Sequence, residues 1–277
     1  MILRGFESAS NGMMSLIDNL DNTANNLANV NTAGYKKSAL TFKNIMNSAV
    51  YQKNSDLIKG QSSGENRHLG DLSMGSETMK ITYDFTQGAI SQTKVPYDFA
   101  LQGDGFFKIQ DTEGKISYTR NGSFCRNSEQ YLVTKEGEFV LDNKNKPIRL
   151  VNDEMENADN TEAFHITVSE QGNIEAYDGK NHIALGTFGV FNFSDKENMM
   201  AVGYSKFVPR DPNNQELVTP PAKFDIQQGM LEMSNSSVIN EMLNTINTTR
   251  NYESLSKVVT TNGDLLDSAI AVGRIRS

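Results

Sequence analysis

The chain has 277 residues, is 37 % hydrophobic with a mean hydropathy of −0.49, and carries a net charge of −8. That is enough material for a sizeable core in one or two domains. The acid surplus excludes an ordinary nucleic-acid binder, since no basic excess exists to neutralise phosphates, and the lone Cys125 excludes an intrachain disulfide and a cysteine-based zinc site.

The first residues, Met1-Ile2-Leu3-Arg4-Gly5-Phe6-Glu7, put Glu7 where a signal peptide needs its apolar segment. No stretch approaches the ~20 apolar residues of a membrane span. A soluble chain is expected, one that leaves the cytosol, if it does, without a Sec-type signal. Residues 1–34 read as one amphipathic helix. Phe6, Met13, Leu20 and Leu27 repeat at one heptad position, Ala9, Leu16, Thr23 and Val30 at its partner, and Ile17 widens the stripe. Gly34 is the expected helix stop. Gly12, costing about 1 kcal/mol relative to Ala in a helix, points to a close backbone neighbour. Asn22, Asn25, Asn26, Asn29 and Asn31 are mediocre helix formers, and their density implies hydrogen bonding between packed helices.

Residues 38–80 change character. Thr41–Met46 could be a short helix or strand, and the polar, turn-rich stretch after it reads as a linker or long loop. From about Ile81 the hydrophobic period becomes two. Strands are expected at 89–93, 106–109, 116–119, 131–134, 138–141, 164–168, 174–177 and 186–193, joined by turns at Gly114, Gly137 and Gly172. Short loops of this kind join antiparallel neighbours. Pro209, Pro212, Pro220 and Pro221 mark an extended return to a last helix, capped near Ser234–Ser237. Its seam reads Val238, Met242, Thr245, Thr249, Tyr252, Ser256, Val259, Gly263, Leu266 and Ile270, with Ile246 and Arg250 counted among its contact residues. So many small and polar members suit packing among several neighbours better than a two-stranded coil.

The expected class is α+β: long N- and C-terminal helices packed as a coiled-coil-like pair, flanking an antiparallel β domain inserted between them. The divisions fall at 1–37, 38–80, 81–225 and 226–277.

Chemical motifs are sparse. Gly103-Asp104-Gly105 leads into a strand and has Lys108 in the third glycine's place, so it reads as a turn and not as a dinucleotide loop. Asp142–Pro147 begins like a calcium loop but carries lysines at ligand positions and proline where glycine must sit, which makes it a hairpin tip. His68, His165 and His182 lack metal spacing. Ser123 lacks a nucleophile-elbow context, and Cys125 has no motif linking it to a histidine. No catalytic, cofactor or metal site is expected.

Five segments carry a family resemblance. Ala24-Asn25-Asn26-Leu27-Ala28-Asn29-Val30-Asn31-Thr32-Ala33-Gly34-Tyr35-Lys36 resembles the N-terminal signature of bacterial flagellar rod, hook and hook-associated proteins. Phe85–Ile90 with Leu101–Phe107, Tyr118–Phe124 with Leu132–Thr134, Gly229–Asn235, and Glu241-Met242 with Arg250–Glu253 are similar to further motifs of the same family, in the same order. The resemblance implies a structural, non-enzymatic subunit without cofactors. Its terminal helices would form an inner layer, and its β domain would face outwards. Such subunits stack with copies of themselves and with other rod proteins into a hollow shaft that crosses the periplasm, transmits torque and encloses the export channel.

The same resemblance implies passage through the flagellar type III export apparatus, with Phe42, Ile45 and Met46 as a short export signal and 38–80 as a stiffening linker. Size and the single β domain favour rod over hook, and the ending Leu265–Arg276 resembles the proximal rod type more than the distal. Residues 19–24 depart from the family's more aliphatic run. The assembly residues this implies are Phe6, Met13, Leu16, Leu20, Asn25, Asn26, Leu27, Asn29, Val30, Asn31, Gly34 and Tyr35 at the N-terminus. Val238, Met242, Ile246, Arg250, Tyr252, Val259, Leu266 and Ile270 are their counterparts on the last helix. A competing reading is a soluble β-domain binding module or enzyme whose terminal helices merely dimerise.

Overall fold

The computed structural model describes residues 2–44, 47–52, 67–73, 76–151, 165–177, 182–211, 216–220 and 223–274. The chain folds as two compact units, one of residues 1–25, 39–81 and 239–277, the other of residues 26–38 and 82–238.

In the first unit, α1 (Ile2–Ala28) and α2 (Val238–Arg274) pack as antiparallel neighbours. Asn19 Nδ2 donates to Thr248 Oγ1 at 3.3 Å, and a side chain added at Gly12 would lie 3.3 Å from Leu255 Cδ1. Gly12 therefore does sit where another helix comes close. Apart from Asn26 near its end, the buried positions among the described residues of α1 are small: Ala9, Ser15 and Thr23. Ser15 and Thr23 turn their hydroxyls back to the carbonyls of Asn11 and Asn19, which satisfies the polar atom and leaves a compact surface. The facing line of α2 runs Glu241, Thr245, Thr248, Tyr252, Leu255, Val259, close to a heptad. Thr245, Tyr252 and Val259 belong to the seam read from sequence, while Val238, Met242 and Ile270 of that seam are exposed and Glu241 and Thr248 are buried instead. The small surface of α1 at Gly12 leaves room for Leu255 of α2, while Val238, Met242 and Ile270 stay in solvent.

The stretch 38–80, read as a linker or loop, carries strands instead: β1 (Ser38–Asn44), β2 (Asn47–Gln52), β3 (Arg67–Ser73) and β4 (Ser76–Tyr83). β1 pairs with β4, and β2 with β3 antiparallel from Asn47↔Ser73 to Gln52↔Arg67. These strands owe their existence to partners distant in sequence, which a local hydrophobic period does not report.

The second unit begins with β5 (Ile90–Gln92), β6 (Phe99–Gly103), β7 (Phe106–Gln110), β8 (Ile116–Thr119), β9 (Phe124–Arg126), β10 (Leu132–Thr134) and β11 (Phe139–Val140). It continues with β12 (His165–Val168), β13 (Asn173–Tyr177), β14 (His182–Thr187), β15 (Val190–Phe193), β16 (Met199–Gly203) and β17 (Lys206–Pro209). β18 (Glu216–Val218), β19 (Phe224–Gln228) and β20 (Met230–Glu232) complete it. The main sheet runs β16-β17-β8-β7-β11-β10-β9, with β15 also on β7 and β18 on β15. β12-β13-β14 form a second sheet, while β19 pairs β6 and β20 pairs β5, all antiparallel.

β7 explains the core. Adjacent strand residues point to opposite faces, and Phe106 and Phe107 are both fully buried in different clusters. Phe107 packs with Phe99, Phe124, Phe188 and Val190; Phe106 packs with Tyr118, Phe191, Phe193 and Phe207. The expected strand 186–193 breaks at Gly189, where a Cβ would come within 2.5 Å of the Phe191 ring. The expected turns hold: Gly114, Gly137 and Gly172 have φ of 84°, 90° and 86°.

Candidate functional site

The N-terminal helix ends earlier than its sequence pattern. α1 stops at Ala28, and single turns follow, with Val30 N–H donating to Leu27 O and Thr32 N–H to Asn29 O. The chain that turns back here is held by a side chain near the helix end. Asn26, 1 % exposed, donates from Nδ2 to Ser38 O at 2.8 Å. Its Oδ1 accepts from Ser38 N–H at 3.0 Å, from Ser38 Oγ at 3.1 Å and from the Tyr35 hydroxyl at 2.9 Å. One amide thus pairs with both backbone groups of Ser38 and closes a loop of twelve residues. Asn26 bonds its own return loop and not a neighbouring helix, which corrects the expectation for that residue. Gly34 is likewise not the helix stop. It takes φ of 68°, donates its N–H to Glu232 O at 2.8 Å, and lies so close to Asn121 that a Cβ would sit 2.3 Å from that amide nitrogen.

Next along the chain, Lys36 enters the interior of the second unit. Its ammonium meets Glu232 Oε1 at 2.6 Å and donates to Thr86 O at 2.7 Å, with both charged side chains wholly buried. Glu232 Oε1 also accepts from Gly88 N–H at 2.9 Å, while Oε2 accepts from Arg120 Nη1 at 3.2 Å. Arg120 donates further to the carbonyls of Leu101 and Gly103 at 3.3 and 2.8 Å. Two buried cations share one carboxylate and three carbonyls. Burial pulls Lys36 below the ordinary lysine value against the opposing pull of Glu232, and burial likewise lowers Arg120. Such a cluster adds little net stability while imposing one arrangement, because any other leaves a charge unpaired.

Asn235 closes the opposite side as Asn26 does. Its Oδ1 accepts from Lys37 N–H at 2.8 Å, and its Nδ2 donates to Asp84 O at 2.8 Å and to Thr86 O at 3.2 Å. The backbone ladder continues with Asp84 N–H to Lys37 O and Met233 N–H to Ala89 O. Segments 26–38 and 229–238 are thereby tied to one another, to the loop 84–89, to the end of β6 and to the residues that follow β8. The arrangement holds two chain segments at a fixed spacing.

Sequence reading missed Lys36, Arg120, Glu232 and Asn235 as a unit. A signal was available: four of the five resembling segments each place residues in this cluster.

The residues expected to mediate assembly divide by position. Asn26 and Gly34 are buried in the junction, Tyr35 reaches it through its hydroxyl, and Asn29 Oδ1 accepts from Thr32 Oγ1. Met13, Leu16, Leu20, Leu27 and Val30 are half-buried; Asn25 and Asn31 are exposed. Phe6, Met14 and Ile17 of α1 are 43 %, 64 % and 44 % exposed. On α2, Tyr252, Val259 and Leu266 are half-buried, while Val238, Met242, Ile246, Arg250 and Ile270 are exposed. Of the expected export signal, Phe42 lies on β1 and is 41 % exposed; Ile45 and Met46 lie outside the described residues.

The candidates set aside from sequence have structural roles. Asp142 Oδ1 accepts from the N–H groups of Lys144 and Lys146, which makes 142–147 a turn closed by Leu141↔Pro147 pairing. Cys125 lies in β9 opposite Val133 and directs its thiol to Thr134 O. Among the described residues no helix is long and apolar enough to cross a membrane.

With the geometry in place, comparison with known proteins is specific. Residues 6–36 match the family "Flagella basal body rod protein", 100–176 the "Flagellar hook protein FlgE/F/G D1 domain", and 227–272 the "Flagellar basal body rod FlgEFG protein C-terminal". The flagellar basal-body rod protein FlgG of Borreliella burgdorferi is 32 % identical over 274 residues, 97 % of this chain and 98 % of the relative. The chain belongs to the flagellar basal-body rod protein family. FlgG of Bacillus subtilis is 28 % identical over 99 % of this chain, and the rod protein FlgF of Mesorhizobium japonicum 30 % identical over 95 % of it, with 100 % and 94 % of those relatives covered. The relatives' names specify the rod and give no axial position along it. Within this rod-family chain, the matches at 6–36 and 227–272 contain the Lys36 and Glu232 ends of the buried junction, and the match at 100–176 contains Arg120.

Proposed function

We propose that this chain is a structural subunit of the bacterial flagellar basal-body rod, without enzymatic activity, assembling with copies of itself and with other rod proteins. The observation that carries the reading is the apolar surface left on the two terminal helices. α1 presents Phe6, Met14 and Ile17, and α2 presents Ile239, Met242, Leu243 and Ile246, on faces turned away from the line along which the helices meet. Helices exposing apolar side chains on their outer faces are suited to further helical neighbours. The buried junction complements this, since a shaft that transmits torque needs stiff connections inside each subunit.

In the same reading the assembled shaft is hollow and crosses the periplasm. The chain reaches it through the flagellar type III export apparatus, with Phe42, Ile45 and Met46 as its export signal. Removing residues 42–46 is expected to stop secretion while the β domain still folds; normal secretion of that variant would dismiss the signal. The decisive experiment for the function is a chromosomal deletion in the source bacterium, complemented with a tagged copy. Loss of motility, basal bodies lacking a complete rod, and the tag recovered in purified rods are expected. Intact rods in the deletion strain would overturn the proposal, as would tagged protein found only as a free monomer or dimer.

A further inference from the structure

The first unit carries a groove of about 480 Å³ lined by Gly12, Ser15 and Leu16 of α1, Asn251, Ser254 and Leu255 of α2, and Phe42 of β1. Among the described residues its lining contains no ionisable side chain. Gly12 and Ser15 contribute almost no bulk and so leave the space open, and Phe42, 41 % exposed, forms one wall. The same unit carries a ridge. Ile239, Met242, Leu243 and Ile246 follow i, i+3, i+4, i+7 spacing, so they form one stripe, and they are 71 %, 51 %, 53 % and 48 % exposed. The ridge is also free of ionisable groups. It faces away from Glu241 and Thr248, the buried positions of the same helix.

A chain cannot bring its own ridge into its own groove. Leu243 and Asn251 are eight residues apart on one continuous helix, about 12 Å along the axis at 1.5 Å per residue. The occupant must come from outside. We infer that the ridge Ile239–Ile246 of one copy seats in the groove around Gly12, Leu16, Phe42 and Leu255 of a second copy. The inference rests on the rod-subunit reading and adds which two surfaces meet.

Three features select a second copy. A neutral, apolar ridge matches a neutral, partly apolar groove, with no buried charge left over. The two surfaces differ, so the contact is heterologous, the type that repeats head to tail and extends into a helical filament wherever its rotation does not close into a ring. The ridge exposes on the order of 400 Å² of apolar surface, well under the ~800 Å² per partner of a stable two-body interface. One such contact is too small to hold a dimer in dilute solution but adequate as one of several contacts per subunit in a polymer.

The test uses the full chain with Cys125→Ser, which leaves no native thiol. Two differently tagged versions, one carrying Leu243→Cys and the other Ser254→Cys, a groove residue outside the proposed export signal, are co-expressed in the deletion strain, and basal bodies are oxidised. A mixed-tag disulfide dimer is expected in rods and is expected to be at least tenfold weaker in dilute monomer. In parallel, Leu243→Asp is expected to lower incorporation into rods at least tenfold while Leu243→Met keeps it near normal, with circular dichroism of the purified chains unchanged. Normal rods that give no mixed dimer, or that accept Leu243→Asp as well as Leu243→Met, would overturn the ridge-and-groove contact and leave the rod reading standing. Absence of the wild-type chain from rods would overturn both.

Discussion

Asn26 shows how much one side chain can decide. Its amide serves as donor and acceptor at once, to the N–H and C=O of Ser38 and to the Tyr35 hydroxyl. Each buried polar group left without a partner costs about 1–3 kcal/mol. Asn26→Leu should therefore lower the stability of the β-rich unit by roughly 3 kcal/mol or more, and Tyr35→Phe by only about 1 kcal/mol. Urea midpoints read by circular dichroism would show this ranking, and an Asn26→Leu protein as stable as Tyr35→Phe would contradict it. Glu232 is a sharper case, because Lys36 and Arg120 both lean on it. Glu232→Gln leaves two buried cations facing each other and should cost about 3–5 kcal/mol, the range for breaking a buried pair.

The same cluster has a pH signature. Burial holds native Lys36 below 10.5, so in the window between its native value and 10.5 the unfolded chain binds more protons than the folded one. Its contribution to stability is therefore complete above 10.5 and is lost as pH falls through the native value. Lys36→Met removes that contribution. The stability difference, wild type minus variant, should increase as pH is raised from neutrality towards 10.5, measured by urea titration at each pH. A difference that stays flat or shrinks would refute the assignment.

Among elements, glycine positions separate close approach from mere turn geometry. A Cβ on Gly122 would lie 1.7 Å from Phe99 O, and one on Gly88 would lie 2.0 Å from Met233 O, both backbone atoms that cannot yield cheaply. Gly137 has φ of 90° and open space around it. Gly137→Ala should cost only about 1–2 kcal/mol of backbone strain, whereas Gly122→Ala should prevent the junction from closing and yield insoluble protein. Comparing soluble yield and melting temperature for the two variants tests this. Sequence reading found the turn at Gly137 because a turn is a local event. It did not find Gly122's role, because only the fold brings Phe99 to it.

The same contrast runs through the strands and helices. Phe106–Ile109, Ile116–Thr119 and Leu132–Thr134 alternate or run apolar and are legible locally. β1 to β4 and β16 to β20 are polar, short or interrupted, and become strands through partners elsewhere in the chain. For α2, periodicity established a helix and put Thr245, Tyr252 and Val259 on its seam, which the fold keeps half-buried, but it put Met242 and Thr249 where the fold buries Glu241 and Thr248. The pairing instead follows the small residues of α1.

For the whole molecule, the uneven distribution of buried apolar surface implies uneven stability. The β-rich unit holds two phenylalanine-rich clusters, while α1 and α2 leave much of their apolar surface in solvent. Isolated subunits should accordingly exchange the amide hydrogens of α1 and α2 orders of magnitude faster than those of β7 and β8, and assembly into rods should slow exchange in the helices selectively. Hydrogen exchange by mass spectrometry on monomer and on purified rods would show it. Helices already as protected in the monomer as β7 would favour a self-sufficient subunit.

By itself, the sequence determined the α+β order of elements, the helical ends, the antiparallel middle, the local turns and the family, because periodicity, turn residues and motif order are written along the chain. Tertiary structure alone decided that Lys36, Arg120 and Glu232 share one buried site, that α1 ends at Ala28, and that the bulky face of α2 points outward. Each of these depends on groups tens to hundreds of residues apart meeting in a low-dielectric interior, where pairing and fit, not local pattern, set the free energy.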